Sequence, residues 1–415
     1  INFDEQEREE VETRLDTIDN LKRKYARFLL EYCLQLQNDD KVFIIGSKEI
    51  TDFIDILITE ASNMHLIVKT YINDYQRQRE LLMSKDYEYL VKDENFDKTI
   101  YNELAKSGYA FLSLSSPMPD YFSGVDDTLL SRVNAYQQSS ISLYRTMQLD
   151  GSLKWNISAV PNSYWAKSLN ITIDELWNML FSICGITSES VPASIWNEKL
   201  KKLNQRKDYL NSLDISHLHY TNSLGTDLYI YLPEDYLFCA ADEGNLVNLP
   251  TEEVFSSPEY SLTKGIVYAS KPLIYNGITI IDFYLEFSGG RVINYGAKEG
   301  LNTLKGILST DEGSKYLVEV ALVDNTSTIS KMNFLFKNTL LDENSSCHLA
   351  LGDGFMECRK NGYSMSKEEL HKSVNHSINH VDFFIGTNDL NITATLRNKK
   401  EIVIMENGLF KGEMK

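Results

Sequence analysis

Apolar residues at Val11, Leu15, Ile18, Leu21, Tyr25, Phe28 and Tyr32 recur at three- and four-residue steps, the spacing of one long helix reaching about Leu36 with a charged outer face. The next apolar residues, Val42 to Ile45, form an unbroken run, the mark of a strand buried on both faces. Helical spacing through Ile54, Leu57 and Ile58 follows, and then a second apolar run from Leu66 to Val68. Strand, helix and strand in that order predict a βαβ unit, because two parallel strands need a crossover between them. Gly46-Ser47 closes the first run, but neither G-x-G-x-x-G nor a G-K-S/T ending is present. The pattern therefore fits an ordinary strand-to-helix turn better than a phosphate loop.

The same rhythm continues with a strand at Tyr109 to Leu114, a helical stretch near Leu130 to Met147 and an extended segment at Lys154 to Ala159. Thr172 stands three residues before Glu175, a capping box that opens a helix bearing Leu176, Trp177 and Leu180. A Lys-rich helix is expected from about Ile195 to Leu213. After about His219 the pattern changes to short β-type runs separated by Gly, Asn and Asp: Asp227 to Leu232, Gly265 to Ala269, Ile278 to Phe287 and Val292 to Tyr295. Ser288-Gly289-Gly290 reads as a hairpin turn within them. Further runs at Tyr316 to Val323, Val381 to Ile385, Leu390 to Leu396 and Glu401 to Met405 accompany a helical piece near Ala297 to Leu308. The fold class is thus mixed α/β: an N-terminal α/β domain with parallel βαβ units over residues 1–220, and a β-rich C-terminal domain over 221–415.

Composition removes several function classes. The chain of 415 residues is long enough for two or three domains, each with its own core. It carries 59 acidic against 41 basic side chains, a formal net charge of -18, and no sizeable basic patch, so nucleic acid is not an expected partner. No run approaches the roughly 18 to 20 apolar residues that a membrane helix needs. The acidic residues from Ile1 to Glu12 do not resemble a secretory signal, which makes the cytosol the expected compartment. Five cysteines, Cys33, Cys184, Cys239, Cys347 and Cys358, are scattered without a C-x-x-C pair and read as reduced thiols.

Candidate chemistry gathers in the last third. Glu319 is the centre of Leu317 to Val323, an otherwise apolar run where an unpaired carboxylate would be very costly. A metal, a buried Lys or Arg, or an edge position in water would each relieve it. His380 and Asp382 are two apart and share one face of a strand. That pair fits two ligands, or simply a histidine bonded to a carboxylate. His348 follows the polar run Asp342 to Cys347 and precedes Leu349 to Leu351, which places it at the mouth of a buried segment. Glu252 and Glu253 are adjacent, so on an extended backbone one aims at a metal and the other is left for proton transfer or a supporting bond, unless both are surface acids. Glu253, Glu319 and Asp382 with one bridging hydroxide would balance two divalent cations.

Taken in order, Asn248 to Phe255, Glu319 to Val323, Asp342 to Gly352 and His380 to Phe383 resemble the successive signatures of the thermophilic-type dinuclear metallo-aminopeptidases, the family of aminopeptidase S, aminopeptidase T and PepS. Gly225 to Leu228, Pro161 to Lys167 and Asp311 to Gly313 resemble it too, so the likeness runs from about residue 40 to the C-terminus. The resemblance implies a hydrolase that removes N-terminal residues from peptides with a free amine, using two divalent ions; carboxylate and imidazole donors suit zinc, cobalt or manganese without choosing among them. It implies Glu253, Glu319, His348, His380 and Asp382 as the ligands, Glu319 as the bridge, Glu252 as a candidate for proton transfer, and a homodimer. His371 and His376 match no ligand of the family. One departure stands out: Phe355 occupies the place of a family tyrosine, and the loss of one oxyanion donor typically costs about 10² to 10³ in rate. This opens an alternative, a catalytically weakened or silent peptide-binding relative, while Tyr363 is the nearest downstream hydroxyl. Val318 and Ser373 also stand where the family usually has glycine, so a different local backbone is expected there.

Overall fold

The structure, a computed structural model, describes residues 17–149, 151–240, 246–275 and 278–414. Val11 and Leu15 of the long predicted helix lie outside them; from residue 17 the helix runs to residue 28 and passes into a π turn at Leu29–Cys33. The chain forms two compact units, Ile1–Glu198 with Asp242–Pro250, and Lys199–Ala241 with Thr251–Lys415.

In the first unit the unbroken apolar run becomes the strand Lys41–Ser47, in which Val42, Phe43 and Ile44 are fully buried. It pairs in parallel with Ile67–Asn73 on one side and Tyr109–Ser115 on the other. Trp155–Ala159 and the short Asn248–Leu249 extend this to a five-stranded parallel sheet. The helix Thr51–Asn63 makes the first crossover. A Cβ on Gly46 would approach Ile54 Cδ1 to 2.7 Å, so this glycine lets the crossover helix lie close to the strand. Packing, and not a phosphate, explains it. Thr172 caps the helix Ile173–Cys184 as a full box, accepting the Glu175 amide while the Glu175 carboxylate accepts from the Thr172 amide at 2.7 Å.

The second unit is antiparallel. Its larger sheet has eight strands in the order Arg291–Gly296, Tyr284–Ser288, Lys264–Tyr268, Asp227–Tyr231, Ile215–Thr221, Asn391–Leu396, Glu401–Glu406 and Leu409–Phe410. Gly289 and Gly290, at φ 56° and 77°, both take the left-handed conformation that a tight hairpin turn with native twist requires. The run expected from Ile278 to Phe287 is in fact two strands, Ile278–Ile280 and Tyr284–Ser288, because Asp282 turns the backbone to φ 49° between them. A smaller sheet of four strands runs in the order His380–Phe384, His348–Gly352, Leu317–Val323 and Glu253–Ser256. Among the described residues no helix is long and apolar enough to cross a membrane.

Candidate metal centre

Register across the four-stranded sheet decides which side chains meet. Glu253 pairs with Val323 and Phe255 with Ala321; Ala321 in turn pairs with His348; Glu319 pairs with Ala350 and Ala350 with Asp382; Gly352 pairs with His380. Residues opposite one another in a sheet project to the same face, and so do residues two apart. Glu253, Glu319, His348, His380 and Asp382 therefore share one face, with Ala321, Ala350 and Gly352 as a floor of small residues that leaves room above it. The Leu317–Val323 strand lies inside the sheet and all seven of its residues are buried, which excludes the edge position as an explanation for Glu319. The register slips between Leu317 and Glu319, so Val318 is a bulge. That local irregularity falls at one of the two positions where a different backbone is expected.

The five side chains form two groups that share Glu319: Glu253, Glu319 and His348, and Glu319, His380 and Asp382, with the ligand-type atoms of each group within 4.8 Å of one another. Glu319 Oε1 lies 4.0 Å from His348 Nε2, whereas its Oε2 lies 3.1 Å from His380 Nε2. Its carboxylate thus reaches both groups with different oxygens. Glu253 Oε2 is 3.1 Å from His348 Nε2 and Asp382 Oδ1 is 3.2 Å from His380 Nε2. The first group is deep, with side-chain exposures of 11% for Glu253, 6% for Glu319 and 2% for His348, while His380 at 26% and Asp382 at 15% open to solvent.

Both imidazoles are oriented from behind. His348 Nδ1 donates to the Ser346 carbonyl at 3.1 Å and His380 Nδ1 donates to the Asp353 carbonyl at 2.7 Å. A carbonyl only accepts, so each Nδ1 carries the proton and a neutral ring turns a lone pair on Nε2 toward the carboxylates. Lone pairs facing carboxylate oxygens at 3.1 to 3.2 Å repel unless a cation joins them. In the metal-free protein that cation is a proton. Burial opposes a charge on His348, but Glu253 and Glu319 outweigh it and hold its pKa up at about 10. Burial likewise opposes charge on His380, and Asp382 with Glu319 raises it well above the ordinary range. Burial pushes Glu319 up to about 7. Despite its short distance to His348, buried Glu253 Oε2 has no aligned hydrogen bond. An orphaned buried carboxylate oxygen, nitrogen lone pairs and a shared carboxylate are what a pair of divalent cations would satisfy, so the donor set fits such ions.

Glu252 is the expected residue that the structure does not bring into either group. Its carboxylate accepts from Lys199 at 2.6 Å and its amide donates to Asn344 Oδ1 at 2.7 Å. The alternation that aims Glu253 at the site turns Glu252 to an ion pair instead. Sequence reasoning missed Glu343, at the end of the short helix Thr339–Glu343. Burial, followed by the charges of Glu253 and Asp382, pushes its pKa well above the carboxylate range, and His348 and Glu319 act on it as well. Its place in the Asp342-to-Cys347 polar run was the available signal.

His376 belongs to neither group and pairs with Asp353 at 2.8 Å, while the side chain of His371 lies outside the described residues. Tyr363 is 59% exposed. Asp311, from a motif whose use the sequence leaves open, pins the loop that leads into His380: it accepts from the Ser314 amide and hydroxyl at 2.9 and 2.8 Å, the Ser377 hydroxyl at 2.8 Å and the Ile378 amide at 2.8 Å. Asparagine has one acceptor oxygen in place of two. Asp311→Asn is expected to lower metal affinity about 10- to 100-fold, the usual effect of losing a group that orients ligands. Competition with a chromogenic chelator measures it, and an unchanged affinity would deny Asp311 that role.

Comparison with known protein families gives this donor cluster its class, that of the metal-dependent hydrolases. The model of the thermophilic metalloprotease (M29) family matches residues 18–410, and the chain belongs to that family. Aminopeptidase AmpS of Bacillus subtilis (strain 168) is 33% identical over 413 residues, covering 95% of this chain and 99% of the relative. Aminopeptidase 2 of Geobacillus stearothermophilus is 37% identical over 319 residues, covering 74% and 77%. Wild-type AmpT from Thermus thermophilus has a similar structure, with a TM-score of 0.85 at 25% identity, covering 95% of this chain and 100% of that one.

Proposed function

We propose that this protein is an aminopeptidase that removes N-terminal residues from peptides with a free amine. Two divalent ions would be held by Glu253, Glu319 and His348 and by Glu319, His380 and Asp382. The observation that carries the reading is Glu319, whose two oxygens serve different groups at the junction of the cluster. When bound, such ions supply Lewis acidity at a peptide carbonyl and bring the pKa of water toward neutrality. The chain's own residues supply the rest. Glu319 holds the two groups in register, the Ser346 and Asp353 carbonyls fix the imidazoles, and the more exposed His380 and Asp382 form the side a peptide approaches. Glu343, whose carboxyl group is held in the protonated form in the metal-free protein by burial and the charges of Glu253 and Asp382, is the candidate proton carrier once ions offset those charges, the part first considered for Glu252.

Imidazole and carboxylate donors suit zinc, cobalt and manganese alike. A homodimer belongs to the same reading through the family resemblance. The metal-free protein reloaded with each ion in turn is expected to hydrolyse a leucine anilide and to leave its N-acetylated counterpart intact. Inactivity with all three ions, or equal cleavage of the blocked substrate, would remove the aminopeptidase reading.

Phe355 favours a second reading, a silent relative. Its ring stands 5.0 Å from that of His380 and has no hydroxyl to offer a developing oxyanion. Phe355→Tyr is expected to raise kcat about 10²-fold in an enzyme that is already active, which is the size of one oxyanion donor. Hydrolysis that appears only in the variant would establish the silent relative instead.

A further inference from the structure

The ligand face of the four-stranded sheet carries two large apolar side chains that the chemistry leaves unused, Phe384, buried opposite His348, and Phe255, which is partly exposed. Phe255 is two residues beyond Glu253 on the same strand, opposite Ala321, and so rises from the same face as the candidate ligands. Phe355 meets it with ring centroids 5.4 Å apart at 69°, and the same ring lies 5.0 Å from the His380 imidazole at 46°. Both phenyl rings are partly exposed. They form an apolar wall beside His380, at the solvent-facing end of the cluster.

That wall is prefabricated. The Phe355 amide donates to Ser257 Oγ at 2.9 Å and the preceding Gly354 amide to the Asn375 carbonyl at 3.0 Å. A Cβ on Gly354 would sit 2.6 Å from Val374 Cγ1, so the turn is packed tightly from behind. Arg359, 1% exposed, donates to the carbonyls of Ser257, Pro258 and Ser373 and ties the end of the Phe255 strand to the turn bearing Phe355. A rigid apolar surface next to a polar cluster recognises side-chain shape without having to be ordered on binding.

We infer that Phe255 and Phe355 line the subsite for the side chain of the substrate's first residue and select an apolar one such as leucine over glycine. The inference rests on the aminopeptidase reading above. A peptide whose first carbonyl reaches the His380 and Asp382 side presents its first side chain to the nearest wall, and that wall has two rings and no charge of its own. Removing one ring forfeits dispersion and apolar burial for leucine and takes nothing comparable from glycine, which has no side chain to bury.

The test uses the full chain loaded with zinc. Leucine and glycine anilides are compared for the natural protein, Phe355→Ala, Phe355→Leu and Phe255→Leu, with metal content per chain and calorimetric binding of free leucine and free glycine measured on each. In the natural protein leucine is favoured in kcat/KM, and Phe355→Ala lowers the leucine-to-glycine ratio roughly tenfold or more, the scale of an apolar subsite contact. Leucine binding weakens in step, and metal content stays that of the natural protein. Phe355→Leu and Phe255→Leu keep apolar volume in place, so they shift the ratio less and guard against a variant that fails to fold. A natural protein that cleaves leucine and glycine anilides equally overturns the inference alone, as does a variant series in which both substrates fall by one factor together with metal content, the mark of rings that merely support His380. A natural protein that holds its ions and cleaves neither unblocked anilide overturns the aminopeptidase reading itself.

Discussion

Glu319→Gln is expected to reduce bound metal from the proposed two ions per chain to at most one and to lower hydrolysis of a leucine anilide by at least about 10³-fold. The substitution keeps the shape of the side chain but removes the negative charge common to both groups and replaces one oxygen by an amide nitrogen, which cannot bind a cation. Lewis-acid stabilisation is worth several kcal/mol, and each 1.36 kcal/mol is a factor of ten in rate. Loss of fold is not the cause, and the sign of the pH dependence shows why. In the metal-free protein burial raises the Glu319 pKa from 4.5 to about 7. A raised carboxyl pKa means that the folded state holds its proton after the unfolded chain has released it, so stability from this group falls as pH climbs from about 4.5 to about 7. Glutamine does not ionise. The metal-free variant should therefore unfold at the same or a higher temperature than the metal-free natural protein at pH 7.5, with a flatter pH dependence below it. Elemental analysis, anilide hydrolysis and thermal melts between pH 4 and 8 check the three parts. Retention of two ions and near-normal turnover would mean that Glu319 is not the shared ligand.

Glu343→Gln is expected to give the opposite combination: two ions retained, and kcat lowered about 10² to 10⁴-fold, the range for loss of a positioned acid or base. Glutamine fits the same partly buried space at the end of the Thr339–Glu343 helix and leaves the five candidate ligands untouched. A supporting role would lower the rate and leave the shape of the pH profile alone, whereas loss of a proton carrier also removes the acid limb of kcat. Stoichiometry by elemental analysis and kcat from pH 5 to 9 separate the two. Unchanged turnover would return proton transfer to another group.

Much of the scaffold was legible in the chain. Unbroken apolar runs with helical spacing between them specify a parallel sheet, and the Thr172 and Glu175 capping box marks its helix start to the residue. A lone acid at Glu319 inside seven buried positions pointed to a cation, and His380 with Asp382 pointed to one face of a strand. What pattern could not reveal is register. Whether Glu253 lies over Val323, and whether alanine rather than a larger residue fills the space between Glu319 and Asp382, depends on pairings between segments far apart in sequence. The ion pair of Glu252 with Lys199 spans 53 residues and has no local signature. The packing of Phe355 on His380 and the backbone carbonyls behind the two histidines were hidden for the same reason.

Those carbonyls have an evolutionary corollary. A carboxylate behind a histidine can be lost by a single codon change, but Ser346 and Asp353 offer the atoms that every residue type possesses. Drift at either position can alter bulk or polarity while the imidazole stays aimed, provided the main chain keeps its course. Selection on this centre therefore falls less on the neighbours' identities than on the path of two short loops.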